Sequence, residues 1–229
     1  NSYQYIILEP CSPPPSMRPT PAKLLEYGNV PFLLVTDLTN IRYLTGISLS
    51  SGILLVTPKA YKLYVDPRYT ELAKKAQKGF LKACDRADLQ KHMETVPECG
   101  FEEQNVTMAT MRRWKKLLKK TRFVRTENVV EHFRRQKDST EIRFIKKAIA
   151  ITKELMSMVP ALLKPGVTER GVAWILEARA RELGAEKFSF EPIVAFGPHT
   201  SRPHHRAGER KLKKGDLVQI DIGVFCKGY

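Results

Sequence analysis

Short apolar runs alternate with polar interruptions from Val30 to Leu89. Phe32-Leu33-Leu34-Val35 reads as a short buried strand, and Thr36-Asp37-Leu38-Thr39-Asn40 as a turn. Gly52-Ile53-Leu54-Leu55-Val56 and Ala60-Tyr61-Lys62-Leu63-Tyr64-Val65 read as two strands joined at Thr57-Pro58-Lys59, as in a hairpin. Tyr69 to Lys78 is predicted helical and stops at Gly79. Short apolar strands alternating with helices predict an α/β domain ending near residue 130. The period then lengthens. Polar, basic residues from Glu131 to Lys137 lead into a long helix. Asp138, Ser139 and Thr140 are all N-cap types, and Glu141 puts negative charge in the first turn. Ile142, Ile145, Ile149, Thr152, Leu155, Met156 and Val159 form a stripe at helical spacing, which Pro160 should kink or end. Lys164-Pro165-Gly166-Val167 is a turn. Thr168 caps a second helix to Leu183, with Val172, Ile175, Leu176 and Leu183 inward and Gly184 closing it. Phe188 to Phe196 and Leu217 to Val224 are predicted strands, separated by a polar loop, Gly197 to Lys214, that carries three histidines.

Residues 1–16 break this order. They hold the run Pro13-Pro14-Pro15 and no periodic apolar pattern, so a disordered arm is expected there. The first methionine is Met17, where the patterned chain begins; a tag remnant or an over-extended reading frame would account for both facts. Four cysteines, Cys11, Cys84, Cys99 and Cys226, show neither close pairing nor metal-knuckle spacing. That suits free thiols in a reduced, cytoplasmic setting. No apolar run approaches the length of a membrane span, so no membrane partner is expected.

Charge changes the picture more. The chain carries a formal +15, distributed unevenly: residues 1–110 hold 12 Lys or Arg against 11 Asp or Glu, and residues 111–229 hold 27 against 13. The densest patch runs from Arg112 to Arg122. It reads either as a face for nucleic acid or an acidic surface, or as the solvated side of an amphipathic helix with Met108, Met111, Leu117 and Leu118 inward. No aromatic–basic platform accompanies it, which favours the solvated helix and speaks against nucleic acid as a partner.

Two residues stand out chemically. An apolar, β-branched run delivers Asp221 to the end of a strand, beside Gly223. A carboxylate there can be a metal ligand or can cap a turn, and one carboxylate alone holds no catalytic ion tightly. His204 follows Pro203 in the group His199, His204, His205 and precedes Asp221 by 17 residues. Asp216 reads as a turn device, Asp138, Glu141 and Glu169 as helix-start residues, and Asp66 with Arg68 as an ion pair or a contact to a partner subunit.

Six segments then line up with a known family. Asn40-Ile41-Arg42-Tyr43-Leu44-Thr45-Gly46, Val65-Asp66-Pro67-Arg68-Tyr69 and Gly100-Phe101-Glu102-Glu103 lie upstream. Arg135 to Ile142, Lys164 to Glu169 and Phe190 to Gly197 follow, the last leading through Ser201-Arg202-Pro203-His204-His205 into Gly215 to Gly223. Their order and spacing resemble the creatinase, prolidase and aminopeptidase P branch of the pita-bread metallopeptidases, over roughly residues 17 to 229. The resemblance implies an α/β fold class: a creatinase-like N-terminal domain over 17–133, then the first half of a pita-bread catalytic domain over 134–229. It implies an exopeptidase, an Xaa-Pro aminopeptidase or dipeptidase, acting on a peptide with proline in second position. It further implies two divalent metal ions, Mn²⁺ first with Zn²⁺ or Co²⁺ as alternatives, holding a bridging hydroxide, and a homodimer. By the same resemblance Asp221 is a metal ligand, the first of five. His204 is catalytic, stabilising the oxyanion. The remaining ligands fall beyond Tyr229 in the family pattern, so the 229 residues are expected to be an incomplete catalytic domain that hydrolyses nothing by itself. A second class of function is a metal-free pita-bread module that binds an acidic peptide or nucleic acid, which the net charge would suit; such a module would tend to lose Asp221 and His204, and both are present.

Overall fold

The central strands are apolar on both faces because helices cover both faces. Leu33 and Val35 of β1 (Leu33–Val35) point into one core, and Leu34 between them points into another. Leu54 and Val56 of β2 (Ile53–Thr57) join the first core, while Ile53 and Leu55 join the second. This period of two, buried either way, is what a sheet sandwiched between helices requires. The computed structural model describes residues 18–229. The proline-rich arm and Met17 lie outside the described residues. The chain divides into two compact units, one ending at Lys137 and the other spanning Asp138–Tyr229.

The first unit begins with α1 (Pro21–Gly28), capped by the Thr20 hydroxyl. After β1 come α2 (Leu38–Thr45), β2, β3 (Ala60–Val65), α3 (Thr70–Lys75), β4 (Leu81–Asp85) and α4 (Leu89–Met93). Then follow β5 (Glu98–Glu102), α5 (Met108–Leu117), β6 (Arg122–Thr126) and α6 (Val129–Arg135). The six strands form one sheet in the order β4-β3-β2-β1-β5-β6. The β2–β3 hairpin pairs antiparallel, Ile53 opposite Tyr64, as the sequence predicts. β4, β5 and β6 join in parallel register, each crossover carrying a helix.

Two expectations change here. The stretch Thr36–Asn40 is not simply a turn: the Asp37 carboxylate accepts from the Asn40 amide at 2.9 Å and so starts α2. In α5, Met111 and Trp114 face inward with Leu118, while Met108 and Leu117 are exposed. The basic residues Arg112, Arg113, Lys115 and Lys116 lie outward.

The second unit opens with α7 (Ser139–Leu162). Asp138 and Glu141 form a reciprocal capping box, each side chain bonded to the other's backbone amide at 2.8 Å. The helix ends two residues past Pro160. Its buried face is Glu141, Ala148, Ile151, Leu155 and Val159, so Ile142, Ile149 and Met156 of the expected stripe are exposed. The helix carries two apolar stripes, and spacing alone does not choose between them. α8 (Glu169–Glu182) packs on α7 through Val172, Leu176 and Ala180, with Ile175 exposed instead of buried. Gly184 closes it at φ +89°.

Each predicted long strand is two short ones: β7 (Lys187–Phe188) and β8 (Ile193–Phe196), then β9 (Val218–Asp221) and β10 (Val224–Phe225). β8 pairs with β9 and β10 with β7, both antiparallel. Pro192 offers no N–H to continue the first ladder. At Gly223 a Cβ would stand 2.6 Å from the Ser189 hydroxyl and 3.3 Å from the Phe190 ring, so a side chain there would make both neighbours shift.

Candidate functional site

The loop between β8 and β9 is stitched to the start of α8. The Thr168 hydroxyl caps α8 by accepting from the Gly171 amide at 3.0 Å, and the amides of Glu169 and Arg170 donate to the carbonyls of Arg210 and Gly208. The Leu212 amide donates to the Val167 carbonyl at 2.9 Å. Gly197, at φ +50°, leaves β8 where a Cβ would lie 2.6 Å from both Arg210 Nη2 and Asp216 Oδ1. Asp216 accepts from Arg210 and from the Lys213 amide, which makes it the structural residue its position suggests.

Inside this frame lies Glu169, with no solvent exposure. Its Oε1 accepts from the Phe196 amide at 2.9 Å and from His199 Nδ1 at 2.8 Å. Its Oε2 accepts from the Gly208 amide at 3.0 Å and from His205 Nε2 at 2.8 Å. The two imidazole rings lie 4.4 Å apart between centroids, tilted by 39°. Burial alone would raise this carboxyl. The hydrogen bonds from His205, from the Phe196 and Gly208 amides and from His199 outweigh it and bring the group from its ordinary 4.5 to about 2. Glu169 is therefore an anion at neutral pH, and each histidine nitrogen facing it is a donor.

The two residues singled out in the sequence sit differently. Asp221 ends β9 opposite Ile193, with its side chain exposed. His204 lies in the loop beside the clamped His205 and is likewise exposed. Neither joins a group of three or more His, Cys, Asp or Glu ligand atoms among the described residues. The one such group is Glu169, His199 and His205, whose donor atoms all lie within 4.8 Å of one another. Sequence reasoning read Glu169 as a helix-start residue and set His199 and His205 behind His204. One signal did point further: Thr168 already fills the N-cap, so a carboxylate at the next position was free for other work.

Among the described residues no helix is long and apolar enough to cross a membrane. Cys99 and Cys226 are buried free thiols, and Cys84 is a half-buried one.

Known proteins fit this geometry. Residues 22–136 match the Creatinase/Prolidase N-terminal domain, and residues 143–229 match Metallopeptidase family M24. An uncharacterized peptidase of Bacillus subtilis, YqhT, is 34% identical over 203 residues, which is 86% of this chain and 58% of that protein. An Xaa-Pro dipeptidase of Pyrococcus horikoshii is 28% identical over 90% of this chain and 60% of its own length. Among solved structures, an Xaa-Pro dipeptidase from Bacillus anthracis superposes with a TM-score of 0.84 at 28% identity, over 91% of this chain and 61% of that one. The prolidase from Pyrococcus horikoshii gives 0.82 at 28%. The chain thus spans about 60% of the length of these relatives.

Proposed function

This chain belongs to metallopeptidase family M24, with a creatinase/prolidase N-terminal domain ahead of a partial M24 domain, and we propose that the protein serves hydrolysis of the bond before proline. The observation that carries the proposal is the continuity of the match. A named Xaa-Pro dipeptidase superposes over 91% of this chain with a TM-score of 0.84 at 28% identity. The substrate is then a peptide with proline in second position. A homodimer, a cytoplasmic setting and domain limits at 17–133 and 134–229 belong to the same proposal.

The family implies divalent metal ions, and Asp221 answers part of that need. Its carboxylate is exposed and makes no hydrogen bond or ion pair among the described residues, so it is open to a ligand. One carboxylate does not build a catalytic site, and among the described residues Asp221 belongs to no group of three or more such ligands. We therefore assign Asp221 one ligand position at a site of two ions, Mn²⁺ first, and predict no turnover by the 229-residue polypeptide itself. His204, exposed on a loop fixed at its flanks, is assigned the role of donating to the substrate carbonyl as negative charge develops there.

The test is peptidase assay with Mn²⁺ and an Xaa-Pro peptide, alongside the intact mass of the native polypeptide. The native protein should release the residue before proline, and the 229-residue chain of 26.2 kDa should release nothing. In the native protein His204→Ala should lower kcat by about 10²–10³-fold with metal content unchanged. Turnover by the 229-residue chain, or a fully active His204→Ala variant, overturns the assignment.

A further inference from the structure

We infer that Glu169, His199 and His205 form a binding site for one divalent transition-metal ion, with Zn²⁺ the best chemical match. The inference does not rest on the peptidase reading. It uses neither Asp221 nor His204.

The donor set is two imidazole nitrogens and one carboxylate. That combination suits Zn²⁺, Co²⁺ or Ni²⁺ over the oxygen-seeking Mg²⁺, Ca²⁺ and Mn²⁺. The geometry is nearly assembled. His199 Nδ1 and His205 Nε2 stand 2.8 Å from Oε1 and Oε2 of the same carboxylate, and the three donor atoms fall within 4.8 Å. Metal–ligand distances of about 2.0–2.2 Å separate neighbouring donors by roughly 3.3 Å, so an ion enters if these contacts open by about half an ångström. Small rotations of two side chains supply that much.

The surroundings support an ion in three ways. The carboxylate is buried and anionic, and among the described residues its donors are two backbone amides and the two rings. Each carboxylate oxygen has two lone pairs, so the amides of Phe196 and Gly208 keep their bonds and orient the ligand while the rings turn to the metal. Each ring needs only to carry its proton on the other nitrogen. His199 keeps 27% of its side chain in solvent, which gives the ion a way in and leaves room for a water as a further ligand. His205 keeps 8% and Glu169 none. An ion there would tie the first turn of α8 to both sides of His204, and so fix that residue's loop more firmly than shared protons do.

The test uses the 229-residue chain, stripped with chelator and titrated with Zn²⁺. One equivalent should be retained by elemental analysis, and the unfolding midpoint of the second unit should rise. Long-range imidazole ¹⁵N spectra should show His199 Nδ1 and His205 Nε2 moving to metal-bound positions while His204 stays. His199→Gln and His205→Gln keep an N–H for Glu169 but lose the ligand. Each should weaken binding at least tenfold with the fold intact by amide exchange, and Asp221→Asn should bind as the parent does. Retention of no Zn²⁺, unmoved ring nitrogens in the parent chain, or loss of binding in Asp221→Asn overturns the proposal. The first two results would leave the four hydrogen bonds as a purely protonic clamp.

Discussion

In each unit one glutamate accepts four hydrogen bonds, and the two carboxyls move in opposite directions. Glu169 falls to about 2. Glu102, in the sheet of the first unit, is raised; burial is the main cause, with the Glu131 carboxylate adding to it. The number of donors does not separate them, since each accepts four hydrogen bonds. Glu102 Oε2 takes the amides of Thr36 and Asp37 at 2.6 and 2.7 Å and the Thr36 hydroxyl at 3.2 Å, and Oε1 takes Asn40 Nδ2 at 2.7 Å. Burial outweighs the donors at Glu102 and is outweighed by them at Glu169, and the donors are also shared differently. Asn40 Nδ2 also serves Glu131 Oε1 at 2.6 Å, so a second acid competes for the same amide. Arg134 reaches Asn40 Oδ1, not either carboxylate. Among the described residues Glu169 accepts from two backbone amides and two imidazole rings, none of them shared with a second acid. The lesson is that a count of hydrogen bonds does not decide ionisation: burial prevails at Glu102, and hydrogen bonds to the charged form prevail at Glu169.

The largest break in this comparison comes from Glu169→Gln. The carboxamide keeps the shape but turns an NH₂ toward donors. The histidines can switch tautomer to accept; the amides of Phe196 and Gly208 cannot. At least one buried amide then loses its acceptor, along with a charge-assisted bond. We expect the second unit to lose about 2–4 kcal/mol in denaturant unfolding. Protection of the α8 amides against hydrogen exchange is the readout, because Trp174 is too exposed to report on the core. A loss under 1 kcal/mol would show that the four bonds add little.

Much of the fold that frames these glutamates was legible in the sequence, because the rules involved are local. The β2–β3 hairpin, the Asp138–Glu141 capping box and Gly184 at the end of α8 each follow from a few adjacent residues. What escaped depended on distant partners. α7 has two apolar stripes, and only packing against α8 and β10 selects Ile151 and Leu155 over Ile149 and Met156. Glu169 was read as a helix-start residue because that position explains an acid by itself. Its true partners lie 30 and 36 residues downstream. The strands broke at Pro192 and Gly223 for a similar reason: the close approach of Gly223 to Ser189 is invisible until the two segments meet.

A change of pH sharpens the contrast without any mutation. A carboxyl lowered in the folded state stabilises fully above its unfolded value and loses that contribution as pH falls through the folded one. For Glu169 the window runs from about 4.5 down to about 2, and the full term is roughly 3 kcal/mol. Glu102 has the opposite sign. Its raised carboxyl favours the folded state when protonated, so its unfavourable contribution disappears as pH falls below the raised value. The second unit should therefore be the first to open on acidification from pH 5 to pH 3. Trp114, packed against Phe123, reports on the first unit, and α8 amide exchange on the second. Loss of both signals at one pH would remove the distinction.

The smallest effect should come from Glu102→Gln, and it tests the reason given for the contrast. If burial and the neighbouring Glu131 are what make Glu102 costly as an anion, a neutral carboxamide relieves both. It still offers one oxygen to the amides of Thr36 and Asp37. Against this stands an NH₂ turned toward Asn40, whose own amide can flip to present its oxygen only at the expense of its bonds to Glu131 and from Arg134. The two terms nearly offset, so stability at pH 7 should stay within about 1 kcal/mol of the parent, and the variant's stability should rise less on mild acidification. A loss as large as that of Glu169→Gln would mean that Glu102 is held as firmly as Glu169. The four hydrogen bonds, not burial, would then decide how this acid contributes to stability.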